Sequence, residues 1–331
     1  MLSELESLLH DGGIDRLVAV IPPASEALFA ACGWQVTRDV AFAEKNATRP
    51  GAQERLLRLL AARRFDASLW EATVAGTPAA QVIHRRVVEP IRHPEIAGAL
   101  DVRVPAALLL FGPPGTGKTT FAQALSGCLG WPLVEWIRPV AGGTSPAQEL
   151  AAFFEATSQL GNVVLFLDEV EEFAATRSEQ SPATAAACTN ELLKALTKFR
   201  TAGDKVLVAS TNHIDRLDPA VLRPGRFDLV LPVGPPDDAA RGRQIDARMT
   251  NVANDVSNID DLVGRTRGYT SADLAHVLDA AIQLAFDDAL SGGPGRLNRD
   301  HLSTAASLTS PSLTEPSLAS FADQAARYGR Q

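Results

Sequence analysis

Gly112, Gly117, Lys118 and Thr119 occupy the four fixed positions of G-x-x-x-x-G-K-[ST] within the stretch LLLFGPPGTGKTTF. Gly112, Gly115 and Gly117 free the backbone to turn its N–H groups inward. A helix starting near Lys118 adds the positive end of its dipole, which makes the loop a nest for a polyphosphate. In such a nest the Lys118 ammonium reaches the β- and γ-phosphates, and the Thr119 hydroxyl ligates Mg2+. The residues assigned to phosphate binding are Gly112, Pro113, Pro114, Gly115, Thr116, Gly117, Lys118, Thr119 and Thr120. An ordinary glycine-rich turn is the competing reading. The apolar strand before the loop and the helical TTFAQALSGCLG after it argue against that.

A second group of polar residues follows an apolar run in VVLFLDEV, which delivers Asp168 and Glu169 to the end of a buried strand. Ligands of open parallel sheets bind at that edge. There Asp168 would hold Mg2+ through water, and Glu169 would orient and deprotonate an attacking water. A strand ending in Asp-Glu is weak evidence alone, but its place about 50 residues beyond Lys118 strengthens it. A third strand end, VLVASTNHIDRLD, brings Ser210, Thr211 and Asn212 to the same edge. Asn212 hydrogen-bonds the γ-phosphate or the lytic water, or it is simply a turn-forming asparagine.

Positioning these ends requires parallel strands. From about residue 73 to 233, AALLLF, PLVEW, VVLFLD and KVLVAS alternate with segments of helical period, the pattern of a parallel sheet covered by helices. Residues 234–331 read as helices only, a small all-α lid. Residues 1–72 read as a small α+β N-terminal domain of unknown role, with a short helix, the strand-like LVAVIPP and the leucine-rich helix QERLLRLLAARRF. The expected fold class is therefore α/β: a P-loop NTPase sheet, a helical lid and a small N-terminal domain.

Composition excludes several classes. The chain has 331 residues, 46% of them hydrophobic, and a formal net charge of -8, which argues against an electrostatic grip on nucleic acid. Cys32, Cys128 and Cys188 are too few and too scattered for a disulfide framework or a metal site, so a reducing cytoplasm is expected. MLSELESLLHDGG lacks the basic start and apolar run of a signal peptide, and no segment approaches the length of a membrane span. There is no HExxH and no GxSxG, which removes zinc protease and serine hydrolase readings.

STNHIDRLDPAVLRPGRFD, residues 210–228, resembles the second region of homology of AAA proteins in the AAA+ superfamily. Similarity extends to VVEPIRHPEIAGALDVRVPAALLLFGPPGTGKT and to GYTSADLAHVLDAA. The tail PSLTEPSLASFADQAARYG is similar to the closing helix of the clade that holds the valosin-containing protein and the membrane-complex disassembly ATPases. The resemblance covers roughly residues 73 to 329. It implies an ATPase with ATP and Mg2+ at the interfaces of a homo-oligomeric ring of six, remodelling a protein client.

By the same resemblance, Arg223 and Arg226 reach a neighbour's γ-phosphate, where a guanidinium stabilises charge in phosphoryl transfer. Thr73, Val74 and Gly76, in TVAG, sit where relatives carry an Ile-Gly-Gly turn against adenine. Ser271 and Ala272 match small residues that touch the nucleotide.

Departures from the family pattern are also legible. Val140, Ala141 and Gly142 replace the aromatic-hydrophobic-Gly of a polypeptide-gripping pore loop, and Trp136 lies just upstream. Asp246 is aligned with a ribose-contacting His, while Thr197 and Lys198 replace an Asp-Gly used in signalling between subunits. The ending Tyr328-Gly329-Arg330-Gln331 lacks the pattern by which proteasomal ATPases dock on their protease. Two other functions remain: a nucleotide-controlled scaffold with slow turnover, favoured by the pore loop, and a DNA-linked AAA+ loader, disfavoured by the acidic balance.

Overall fold

The computed structural model describes residues 16–20, 35–37, 42–46, 52–137, 145–174, 182–199 and 204–330. The pore-loop residues Val140, Ala141 and Gly142 and the amino-terminal helix expected from the sequence lie outside them. The chain divides into two compact units, residues 1–60 and 61–331.

In the first unit β1 (Arg16–Val20), β2 (Gln35–Thr37) and β3 (Phe42–Asn46) form an antiparallel sheet in the order β1–β3–β2. Helix α1 (Ala52–Leu59) follows, with Glu54 and Arg58 paired one turn apart at 3.7 Å.

The second unit begins earlier than the boundary at 72 read from the sequence. Arg63 exchanges two backbone hydrogen bonds of 2.8 Å with Leu133, so its chain joins the sheet that carries the site. Helix α2 (Ser68–Thr73) follows, and its buried Trp70 meets Phe121 edge-on at 5.6 Å. These contacts attach residues 61–72 to the second unit and leave the three-stranded sheet in the first.

Five parallel strands make the central sheet: β4 (Ala107–Phe111), β5 (Leu133–Trp136), β6 (Val163–Leu167), β7 (Lys205–Thr211) and β8 (Leu229–Pro232). Their spatial order is β5–β6–β7–β4–β8. β4 and β6 are buried at every position. That burial is why the sequence shows continuous apolar runs here, since helices cover both faces. Helix α3 (Pro78–Ile83), with Ala80 and Ile83 buried, covers part of one face together with α4 (Lys118–Leu129), which contributes Phe121 and Leu125. Helices α5 (Pro146–Ser158) and α6 (Pro182–Phe199) lie outside that core cluster and meet each other through Phe154 and Phe199. At the amino end of β4, the Asp228 carboxylate accepts the N–H groups of Ala106 and Ala107 at 2.9 and 3.0 Å.

Four helices form the lid: α7 (Asp238–Met249), α8 (Asp260–Arg265), α9 (Ser271–Leu290) and α10 (Arg299–Leu308). They share their own core of Ile245, Met249, Leu274, Val277, Leu278 and Leu302. Arg241, 2% exposed, ties α7 to α8 by donating to the carbonyl oxygens of Pro236 and Val263, each at 2.9 Å. The last helix, α11 (Glu315–Tyr328), lies outside that core and returns to the sheet. Beyond it Arg330 exchanges backbone hydrogen bonds of 2.9 and 2.8 Å with Val230 of β8. Within residues 234–331, read as a lid from the sequence, α11 thus packs toward the sheet and not in the lid core.

Candidate functional site

The strand order explains how the three sequence motifs meet. β7 lies between β6 and β4, so its carboxyl end falls between the acidic pair after β6 and the glycine loop after β4. Asn212, just past β7, accepts a hydrogen bond from Lys118 Nζ through Oδ1 at 2.6 Å. Its Nδ2 donates to Glu169 Oε1 at 3.2 Å. One amide thereby spans the cation of the loop and the carboxylate read as general base.

The loop is built on positive-φ glycines: Gly112 (φ 154°), Gly115 (φ 77°) and Gly117 (φ 93°). Gly112 also allows close approach, since a Cβ there would stand 2.1 Å from the Val233 carbonyl oxygen. Thr116 closes the turn by donating to Pro113 O at 2.9 Å. Pro114 lies within this loop, and Thr120, in the first turn of α4, lines the cavity described below.

Lys118 is buried, and its ammonium donates to Gly112 O at 2.8 Å and Pro113 O at 2.9 Å as well as to Asn212. Burial pushes its pKa down to about 8, against the pull of Asp168, Glu171 and Glu169. An anionic phosphate would replace neutral acceptors and favour the charged form.

Thr119 and Asp168 are brought together, with the Thr119 hydroxyl donating to Asp168 Oδ2 at 3.0 Å. Ser210 donates to the other carboxylate oxygen, Asp168 Oδ1. A hydroxyl and a carboxylate are hard oxygen donors of the kind Mg2+ takes beside phosphate oxygens, so the residues present fit that ion. Glu169 adopts a left-handed backbone, φ 51°. Its carboxyl pKa is raised, first by burial and then by the neighbouring Glu172, Asp168 and Glu171. A raised pKa suits a base that must take a proton near neutral pH.

Above the loop, Ala272 N–H donates to Gly115 O at 3.1 Å, which joins the start of α9 to the glycine loop. Ser271 stands beside Gly117, with its Oγ 3.8 Å from where a Cβ would be. Between loop, lid and α2 opens a cavity of about 700 Å³, enough for a drug-sized ligand. Thr73, Val74, Thr116, Gly117, Thr120 and Ser271 line it. Gly76 does not: it packs beside Arg243, which donates to the Ala75 carbonyl. The turn is thus held from the lid side, and Gln244 Nε2 reinforces it by donating to Thr73 O at 3.3 Å.

Asp246, aligned with a ribose-contacting His, is exposed and is not on the cavity wall. Gln244, Ala247 and Arg248 are. Residues three and four apart share a helix face, so the spacing 244, 247, 248 could have identified the inward side of α7. Two further contributors were missed. Glu171 accepts the Asn212 backbone N–H at 2.8 Å, which fixes the asparagine. Phe321 of α11 lines the cavity and packs against Gly112 and Gly234, a contact nothing local in the sequence announces.

The two arginines stand apart from this cluster. Arg223 is exposed and its guanidinium makes no hydrogen bond or ion pair among the described residues, while the Arg226 side chain donates to Thr197 Oγ1 at 3.0 Å. Neither touches Lys118, Asp168 or Glu169 among the described residues.

Residues 108–235 match the family "ATPase family associated with various cellular activities (AAA)". The chain is 35% identical over 234 residues to the ATP-dependent zinc metalloprotease FtsH 1 of Symbiobacterium thermophilum, a match covering 66% of this chain and 38% of that protein. It is 33% identical over 201 residues to the Cell division cycle protein 48 homolog of Archaeoglobus fulgidus, covering 57% of this chain and 27% of that one. The chain thus spans about a third of the length of the curated relatives it matches. A crystal structure of the FIGL-1 AAA domain in complex with ADP superposes with a TM-score of 0.67 at 20% identity, covering 84% of this chain and 98% of that one, a likeness of fold.

Proposed function

We propose, from the premise that this chain carries an AAA ATPase domain, that it hydrolyses Mg-ATP at the interfaces of a homo-oligomeric ring and uses the cycle to remodel a protein partner. The observation that carries the reading is Asn212, whose amide links the phosphate-binding Lys118 to the base Glu169 across three strand ends. A solvated glycine turn would need no such link.

In the proposed reaction the N–H groups of the Gly112–Gly117 loop and the Lys118 ammonium bind the phosphates. Thr119 and Asp168 would hold Mg2+, which would supply charge neutralisation to the phosphates. Glu169 accepts the proton of the attacking water, and Asn212 orients that carboxylate and the γ-phosphate. Thr73, Val74, Gln244, Arg248 and Phe321 surround the base and ribose in the cavity. Each site still needs a cation on the leaving side. Arg223, whose guanidinium has no partner among the described residues, and Arg226 are proposed to supply it from the next subunit, which makes assembly a condition of turnover.

A second reading, a nucleotide-set scaffold, is favoured by the small aliphatic pore-loop sequence Val140-Ala141-Gly142. Steady-state ATPase rate against protein concentration, with oligomer mass recorded alongside, separates the two. The remodeller reading predicts specific activity that rises as the ring forms. Negligible turnover together with an ATP-dependent change of mass would replace it with the scaffold.

A further inference from the structure

Among the described residues the Arg226 guanidinium is anchored through Nη1 alone. Nη1 donates to Thr197 Oγ1 at 3.0 Å and to Leu193 O at 3.4 Å, two acceptors one turn apart on α6. The Thr197 hydroxyl spends its own proton on Leu193 O, at 2.9 Å. Its lone pairs are therefore what Arg226 meets, and the hydroxyl is locked as an acceptor. A guanidinium is planar, so two acceptors on Nη1 fix the plane of the whole group. Nε and Nη2 make no hydrogen bond among the described residues. They form the edge that binds a phosphate or carboxylate in bidentate fashion. The anchoring helix is rigid at this point, because Leu192 and Leu196 beside the anchor are fully buried. An open groove lined by Asn190, Glu191, Lys194, Thr197 and Arg226 leaves the arginine accessible.

We infer that Thr197 is a positioning residue: it holds Arg226 by its inner nitrogen so that the outer edge is presented to the phosphate of an adjacent copy. This rests on the reading of Arg226 as an arginine supplied in trans. Arg223, without such an anchor, is left as the adjustable member of the pair.

The test is steady-state ATPase with oligomer mass for the full chain and the variants Thr197→Val, Thr197→Ser, Arg226→Ala and Thr197→Val/Arg226→Ala. Valine keeps the shape and removes the acceptor; serine keeps the acceptor. Thr197→Val should lower kcat about tenfold with KM and oligomer mass unchanged, the mark of a misplaced transition-state group. Thr197→Ser should restore turnover, and the double variant should be no slower than Arg226→Ala alone. Wild-type kcat in Thr197→Val with Arg226→Ala inactive overturns the positioning role and leaves the arginine reading standing. Full turnover in Arg226→Ala sinks both. Loss of oligomer mass in Thr197→Val that serine fails to restore means a structural threonine, which also overturns the proposal.

Discussion

At the scale of single residues, hydrogen bonds link Lys118 to Asn212, Asn212 to Glu169 and Thr119 to Asp168, residues whose short spacings around strand ends single them out in the sequence. Gly112 gives a sharp test of the loop. Its φ of 154° and the 2.1 Å approach of the Val233 carbonyl to any Cβ leave no room for a side chain. Gly112→Ala should therefore displace the backbone of the loop, lowering Tm and weakening ATP affinity by roughly tenfold or more. Calorimetric titration with ATP and a thermal melt check both effects, and wild-type values for the two would contradict the geometry. Glu171 and Arg248 were not legible in the same way. One acts through a backbone N–H contributed by another strand, and the other through the rotation of a helix that alignment placed two positions off.

Elements raise a different issue, because their long-range partners leave little local trace. The period-2 and period-3.6 patterns fix which runs are strands and helices. They do not reveal that α11 leaves the lid and brings Phe321 against the glycine loop. Tyr328 strengthens that docking by donating to Asp215 Oδ1 at 2.8 Å, close behind Asn212. The start of α9 is more local and also more testable. Thr270 and Asp273 form a capping box. Asp273 Oδ2 accepts N–H bonds from Thr270 at 2.9 Å and Ser312 at 3.1 Å, and a hydroxyl bond from Ser312 at 2.9 Å.

Burial raises the Asp273 pKa, but the hydrogen bonds from Thr270 and Ser312 outweigh it and hold the carboxyl below its usual range. A depressed carboxylate pKa contributes stability that is fully present above the unfolded value near 3.9 and is lost as pH falls through the folded one. Asp273→Ala should cost about 1 kcal/mol at neutral pH. The resulting Tm difference should hold from about pH 8 to 5 and shrink below about pH 4. A difference that grows toward acid pH would contradict this assignment.

For the whole molecule, the nucleotide-binding unit carries phosphate loop, acids and asparagine together, yet Arg223 and Arg226 stay away from them among the described residues. That separation supports the proposal that the reaction sits at a boundary between copies. No helix among the described residues is long and apolar enough to cross a membrane. Residues 61–72 carry no motif that would set them on either side of the division at Leu60. Their membership in the core rests on the pairing of Arg63 with Leu133 and the packing of Trp70, both long-range.

The central claim, a site completed in trans, is tested most directly by mixing two inactive variants. Glu169→Gln removes the base but keeps the arginine; Arg226→Ala removes the arginine but keeps the base. Each alone should turn over ATP about a hundredfold or more below wild type. On mixing, interfaces that pair an intact Glu169 with an intact Arg226 from the neighbour should form, and ATPase activity should recover to a substantial fraction of wild type. Activity that stays at the level of the separate variants while mixed oligomers demonstrably form would contradict the account.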